Sequence, residues 1–249
     1  MIQESIAESK LASLYPGVQF APGVTIGLDV KIGAGSKIAA GVRIYPGTQL
    51  GQDVVVLENT VLGRPTVLPA SNQVKRKLGD LPALVIGDGT VIGANVVLYR
   101  ATVIGLRCII CDLTSIRENC TLGDEVLLGR SVMVQVNSHI GARTKIMDSC
   151  HLPGDMKIEE DVFLSTHVCG ASENSLGRNS EMPSWSGPLI RKGAYVGLNA
   201  TLLPNIEIGE NAVVAGGAVV TKSVPPGTLV MGAPARVVRK VEPRVDIQT

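Results

Sequence analysis

The sequence predicts an all-β chain wound as a parallel β-helix, and three observations lead there. An aliphatic residue recurs at every sixth position over most of the length. A smaller residue suited to an interior recurs two places before it. The composition is rich in turn formers and poor in rings, with 28 Gly and 14 Pro among 249 residues and aromatics at 3 %. A wide core needs large side chains; a narrow, repetitive one does not.

The beat starts at Ile26 and continues through Ile32, Ile38, Ile44, Leu50, Val56 and Leu62. It resumes at Ile86 and runs through Ile92, Leu98, Ile104, Ile110, Ile116, Leu122, Leu128, Val134, Ile140, Ile146, Leu152, Ile158 and Leu164. A last run goes Ile190, Val196, Leu202, Ile208, Val214, Val220, giving 27 positions in all, each Ile, Leu or Val. Neither a helix nor a lone strand has a period of six. Two residues earlier stand Val24, Val30, Val42, Cys108, Cys120, Cys150, Ala194, Ala200 and Ala212. Because strand side chains alternate, the residue between each such pair points outward. The residue after the beat is Gly in twelve hexads, among them Gly27, Gly33, Gly93, Gly141 and Gly197. There it is expected to supply the permissive backbone of a tight corner. Each hexad is thus a short strand plus a turn, stable only when stacked coils complete each other's hydrogen bonds.

Bulk properties narrow the function. A net charge of +1 with 18 % charged residues offers no groove for nucleic acid. No apolar run approaches the ~20 residues of a membrane span. The start, MIQESIAESKLASLY, carries two glutamates and no apolar export signal. Five cysteines in this length do not suggest a disulfide framework, so a reducing cytoplasm is expected.

The hexads over about residues 24–224, together with the ending VVAGGAVVTKSVPPGTLVMGAPARVVRK, resemble the hexapeptide-repeat acyltransferase family, and within it the nucleotide-sugar N-acetyltransferases. The resemblance implies a left-handed parallel β-helix with three hexads per triangular coil, hence about nine coils. The handedness comes from the resemblance alone, since parallel crossovers are generally right-handed. It also implies a homotrimer with sites between subunits and coenzyme A against the final coils. The expected layout is a lead-in over 1–20, the β-helix over 21–226 with external loops at 65–83 and 167–188, and a tail over 227–249.

The loops are where the beat fails. Residues 65–83, PTVLPASNQVKRKLGDLPA, lose the turn glycines and carry Lys75, Arg76 and Lys77, either a solvated cluster or a cradle for phosphate. From Leu164 to Ile190 is 26 residues, not a multiple of six, so the chain must leave the prism. Long excursions from rigid scaffolds tend to carry binding or catalysis. Trp185, the single tryptophan, could stack on a base or sugar, or cap apolar surface. Counting hexads puts the two loops on different corners, where loops of neighbouring chains would enclose one site.

Candidate chemistry follows. His151 precedes a beat and faces outward, eighteen residues before Cys169 at the second loop. Its imidazole is placed to take a proton from an attacking amine or hydroxyl, whereas His139 belongs to another face and His167 to a turn. By resemblance, Glu173 and Asn174 in GASEN hold the place of an acidic–amide pair, Glu173 orienting or deprotonating an amine. Arg117 and Glu118 in SIREN are substrate contacts or corner decoration. Asn137 is a ligand contact or a turn residue. The Cys108–Cys111 pair has C-x-x-C spacing, but Cys108 fills an interior slot, so no metal is expected. By the same resemblance Gly197, Ala215 and Gly216 face the pantetheine arm. Lys222 and Arg236, near Arg239 and Lys240, suit the phosphates of coenzyme A. The expected activity is acetyl-CoA-dependent N-acetylation of an amino sugar, a small-molecule acceptor read as nucleotide-linked. O-acetylation of a sugar or small hydroxyl compound, a γ-type carbonic anhydrase and a non-catalytic scaffold are the alternatives; the anhydrase needs three converging histidines.

Overall fold

A computed structural model of the chain describes residues 10–67, 80–174 and 186–241. Short strands, most of two residues, assemble into three parallel sheets that form the sides of a prism. The first sheet has 12 strands, from Gln19–Phe20 to Arg236–Lys240. The second has 10, from Thr25–Ile26 to Val219–Val220, and the third has 9, from Lys31–Ile32 to Glu207–Ile208. Successive strands step from sheet to sheet, so the expected parallel β-helix is what the chain forms. At ~4.8 Å per coil the stack is about 45 Å tall.

The side-chain alternation explains the register. In Lys37–Ile38, Thr121–Leu122 and Lys157–Ile158 the first residue is exposed and the second buried. Of the 27 beat positions all but the half-buried Ile32 are buried, and they form one continuous core. The slot two residues earlier is also buried, and the structure adds a feature there. Ser36, Thr60, Thr90, Thr114 and Thr144 occupy it as fully buried hydroxyls. Thr60 shows their use: its Oγ1 donates to the Gly93 carbonyl at 2.7 Å and accepts from the Val96 N–H at 3.1 Å, bridging two coils. Cys108, Cys120 and Cys150 fill the same slot, and burial pushes the Cys150 thiol up to about 11. A C-x-x-C pair built on Cys108 is therefore structural.

The corner glycines have a different cause from the one expected. A positive φ does occur at each corner, but three residues after the beat, where Asn and Asp predominate: Asn95 (56°), Asn119 (59°), Asn137 (58°), Asp155 (59°). The glycine directly after the beat is needed because consecutive coils touch there. A Cβ on Gly33 would lie 2.5 Å from the Gln52 nitrogen, and one on Gly197 2.5 Å from the Gly216 nitrogen.

Both ends are covered. The single helical turn Leu11–Leu14 buries Leu11 against the first coil, and Tyr15 donates its hydroxyl to the Val30 carbonyl at 3.1 Å. At the other end Thr228–Met231 adds a parallel strand to the first sheet and Arg236–Lys240 folds back antiparallel on it.

The loops correct the hexad count. Registers step by 18 residues per coil, but Val61 pairs with Val97 and Cys169 with Thr201. The first excursion leaves after Val61–Arg64 and returns at Val85–Ile86; the second leaves after Cys169–Gly170 and returns at Leu189–Ile190. Each departs from the second sheet and returns to the third, so the two loops share one corner instead of occupying two. The count slipped because Gly170 stands at a beat position. A Cβ there would lie 2.6 Å from the Pro153 ring, which fills the interior from the coil below.

Candidate functional site

The corner between the second and third sheets differs from the others in its chemistry. Across the third-to-first corner the residue after the beat is Gly33, Gly51, Gly87, Gly105, Gly123, Gly141 or Gly209 in seven of nine coils. On the loop-bearing corner the same place holds Tyr99, Arg117, Gln135, Pro153, Ala171 and Leu203. Six successive coils between and beside the loops thus present side chains where most coils of the third-to-first corner have none.

His151 lies on the outward face of the second sheet beside this corner, half-buried, in register with Met133 below and Cys169 above. Its Nδ1 is 3.2 Å from the Gly170 carbonyl. A carbonyl only accepts, so this bond requires a proton on Nδ1 and leaves Nε2 of the neutral ring as a base. The second loop begins at that same glycine, which ties the loop root to the imidazole. Glu173, half-buried, and Asn174, exposed, follow three and four residues later in the root of this loop.

Along the corner itself runs a polar ladder. Asn119 Nδ2 reaches Asn137 Oδ1 at 3.4 Å, and Asn137 Nδ2 donates to Asp155 Oδ1 at 2.8 Å. Asn137 is therefore both the turn residue and a member of a side-chain chain, with Asp155 an unforeseen third member. Arg117 donates through Nε to Glu118 Oε2 at 2.9 Å and through Nη2 to Oε1 at 3.2 Å. Glu118 is 1 % exposed. Burial pushes its carboxyl up, but the Arg117 guanidinium and the backbone outweigh it and hold the group below the usual carboxylate range. Two residues that the sequence reading passed over, Arg64 and Tyr99, join the pair: the Arg64 and Arg117 guanidinium carbons lie 5.5 and 5.1 Å from the Tyr99 ring centre.

The residues assigned to coenzyme A separate into two groups. Gly197, Ala215 and Gly216 lie on the first-to-second corner, whereas Lys222 follows the last strand of the second sheet and Arg236 opens the strand that folds back on the first sheet, paired with Met231. Gly197 is explained by stacking alone. Lys222, Ser223 and Arg236 line a hollow of about 270 Å³, and Ser223 also borders a second hollow of about 280 Å³ with Ser186, Gly187, Asn205 and Glu207. The first lies over the end of the prism, among Val220, Val224 and Val230, one from each side, and the second lies on the loop-bearing corner. Arg76 and Trp185 lie outside the described residues. The three histidines do not converge: His139 is on the third sheet, with Nδ1 2.6 Å from Thr121 Oγ1, and His167 sits at the first-to-second corner. Among the described residues no group of three potential metal ligands is found.

Over residues 23–64 and 190–222 the sequence matches the profile described as "Hexapeptide repeat of succinyl-transferase". A serine acetyltransferase of Buchnera aphidicola is 35 % identical over 86 residues, 34 % of this chain and 31 % of that protein. A 2,3,4,5-tetrahydropyridine-2,6-dicarboxylate N-acetyltransferase of Staphylococcus aureus is 43 % identical over 60 residues, 24 % of this chain and 25 % of that protein. A solved maltose O-acetyltransferase from Clostridium difficile superposes with a TM-score of 0.43 and 26 % identity, over 49 % of this chain and 70 % of that one. The chain spans less than a third of the length of the two sequence relatives.

Proposed function

We propose that the protein is an acetyl-CoA-dependent N-acetyltransferase whose acceptor is an amino sugar, nucleotide-linked. The observation that carries this reading is His151, anchored through Nδ1 to the root of one loop on the corner shared by both. The acceptor nitrogen attacks the thioester carbonyl carbon, the carbon–sulfur bond breaks, and Nε2 of His151 takes the proton from nitrogen and returns it to the leaving thiolate. Glu173 orients the amine, Asn137 and Asn174 hold acceptor hydroxyls, and Arg117 binds its anionic portion. Lys222 and Arg236, in one hollow three coils above His151, supply cations for the phosphates of the donor. Relatives that acetylate amines and hydroxyls support acetyl transfer as the reaction class.

A homotrimer is the proposed assembly. Its support is the outward column of the first sheet, where Val55, Val91, Ile109, Leu127, Phe163, Tyr195 and Val213 follow one another with Lys145 as the single charge between them. Apolar columns of that length are usually covered. Among the described residues no helix is long and apolar enough to cross a membrane, and a reducing cytoplasm is the compartment proposed for its free thiols. O-acetylation is the second reading, favoured by the similarity to serine acetyltransferase.

The test is turnover of nucleotide-linked amino sugars with acetyl-CoA by wild type and His151→Ala. Loss of a positioned base lowers kcat by ~10²–10⁴-fold, with melting temperature unchanged because His151 is an outward side chain. Equal turnover in the variant removes His151 from the mechanism. Acetylation of a hydroxyl compound in place of the amino sugar establishes the second reading.

A further inference from the structure

We infer that Arg64, Tyr99 and Arg117, with Arg100 beside them, form an anion-binding subsite for the phosphoryl group of a phosphorylated acceptor. The assignment to the acceptor rests on the reading proposed above; the anion site itself does not. The three stacked residues come from consecutive coils of the loop-bearing corner. Tyr99 is in register with Arg64, and Arg117 lies one coil further, where Leu98 pairs with Ile116. Both guanidiniums lie over the phenol ring, at 5.5 and 5.1 Å from its centre. A guanidinium stacked on a ring keeps its N–H edge for the oxygens of a phosphate; Arg117 gives Nε and Nη2 to Glu118, so Arg64 is the one that offers this edge. Arg100 donates its backbone N–H to the Arg64 carbonyl at 3.1 Å. Its Nε and Nη1 donate to the carbonyls of Leu81 and Pro46 at 3.1 Å each, which fixes the side chain without a carboxylate partner among the described residues.

The local balance is therefore positive. The two stacked guanidiniums share one paired carboxylate, Glu118, and neither Arg64 nor Arg100 forms an ion pair among the described residues. Purely structural arginines in this molecule look different: Arg107, Arg130 and Arg143 each face an acid eighteen residues on, one coil away. Arg64 is exposed and points its charge at no such partner.

The spacing gives the ligand its class. From the strand of Arg117 the second sheet passes Ser115, Met133 and His151, two coil steps or about 10 Å. From His151 it passes Cys169, Thr201 and Val219 before Lys222, three steps or about 14 Å. The imidazole thus stands between the arginines and Lys222 along one corner, with Arg236 sharing the hollow of Lys222 at the end of the prism. A donor anchored at Lys222 and Arg236 approaches from one side. An acceptor whose amine sits at His151 presents its far end to the arginines, a separation that suits a sugar ring followed by a phosphate ester or diphosphate. Free serine or an unphosphorylated amino sugar has no group to place there.

Calorimetric titration of the full chain with inorganic pyrophosphate, with and without saturating coenzyme A, tests this. Wild type is expected to bind pyrophosphate more weakly as salt rises, and Arg64→Ala to bind it ~10- to 100-fold more weakly, the range for losing a hydrogen bond to a charged group. Coenzyme A should not displace it. With a phosphorylated amino sugar, KM should rise by the same factor in Arg64→Ala while KM for acetyl-CoA stays put. Arg64→Gln should repeat the result and guards against a packing effect of the truncation. Absence of pyrophosphate binding, equal binding in both variants, or displacement by coenzyme A would each overturn the assignment. If pyrophosphate binds as described but acetyl-CoA does not bind at all, the anion site stands and the transferase reading falls.

Discussion

Replacing Arg117 by Ala leaves the Glu118 carboxylate, 1 % exposed, without the guanidinium that holds it ionised. Breaking a buried pair from the cationic side costs about 3–5 kcal/mol, which in a chain of this size lowers the melting temperature by roughly 6–20 °C. The opposite change, Glu118→Gln, leaves Arg117, whose side chain is 32 % exposed and can turn to water. That variant should lose only about 1–2 kcal/mol. The pH dependence separates the two further. In the native protein Glu118 is held below the usual carboxylate range, so its contribution is present above the unfolded pKa and is lost as pH falls through the folded one. In Arg117→Ala the upward push of burial is opposed by the backbone hydrogen bond without the guanidinium. Its penalty is present at neutral pH and fades as acidification lets the carboxyl take a proton. Thermal unfolding of wild type and both variants at pH 7 and at pH 5 measures this. A larger loss in Glu118→Gln than in Arg117→Ala, or a deficit of Arg117→Ala that does not shrink at pH 5, would refute the reasoning.

Three further outcomes are expected. Thr60→Val removes a hydroxyl that bridges two coils, and the Val96 N–H must turn to its own corner, as the Ala194 N–H does at 3.2 Å from the Arg191 carbonyl; chemical denaturation should show a loss of about 1–2 kcal/mol. Leu113 is 59 % exposed and held at φ 63°, so Leu113→Asn should relieve about 1 kcal/mol of left-handed strain and raise the melting temperature by roughly 2–4 °C. Gly197→Ala brings a Cβ within 2.5 Å of the next coil's backbone nitrogen and should cost about 1–3 kcal/mol by differential scanning calorimetry, whatever its effect on donor binding.

The interior was legible from sequence because burial in a solenoid is periodic: Ile104 and Ile140 each meet the same neighbours one coil up and down, so one rule writes them all. What escaped was whatever depends on contact between non-identical coils. Gly33 reads as a turn residue in one dimension, yet its reason lies eighteen residues away in Gly51 and Gln52. Gly170 reads as a missed beat until Pro153 is seen occupying its place, and that one position moved a loop to the wrong corner. At the site, His151 was visible from the parity of its strand. Tyr99 and Arg64 were not, because their meeting depends on the irregular pairing beside the first loop, where the register shifts between Leu98 and Tyr99. A signal for Tyr99 did exist: every third hexad from Leu98 to Leu202 gives up the glycine that most coils of the third-to-first corner keep.

The constant step of eighteen residues has a bearing on how such a molecule could change its substrates. Adding or deleting one whole turn of chain leaves every interior neighbour relationship intact yet displaces one end of the binding surface from the other by a fixed increment of ~4.8 Å. Reach along the corner is therefore adjustable only in whole increments, and ligands of intermediate length must be met by side-chain choice. Arg64, Arg117 and Lys222 are set apart by counting turns, not by bending the scaffold.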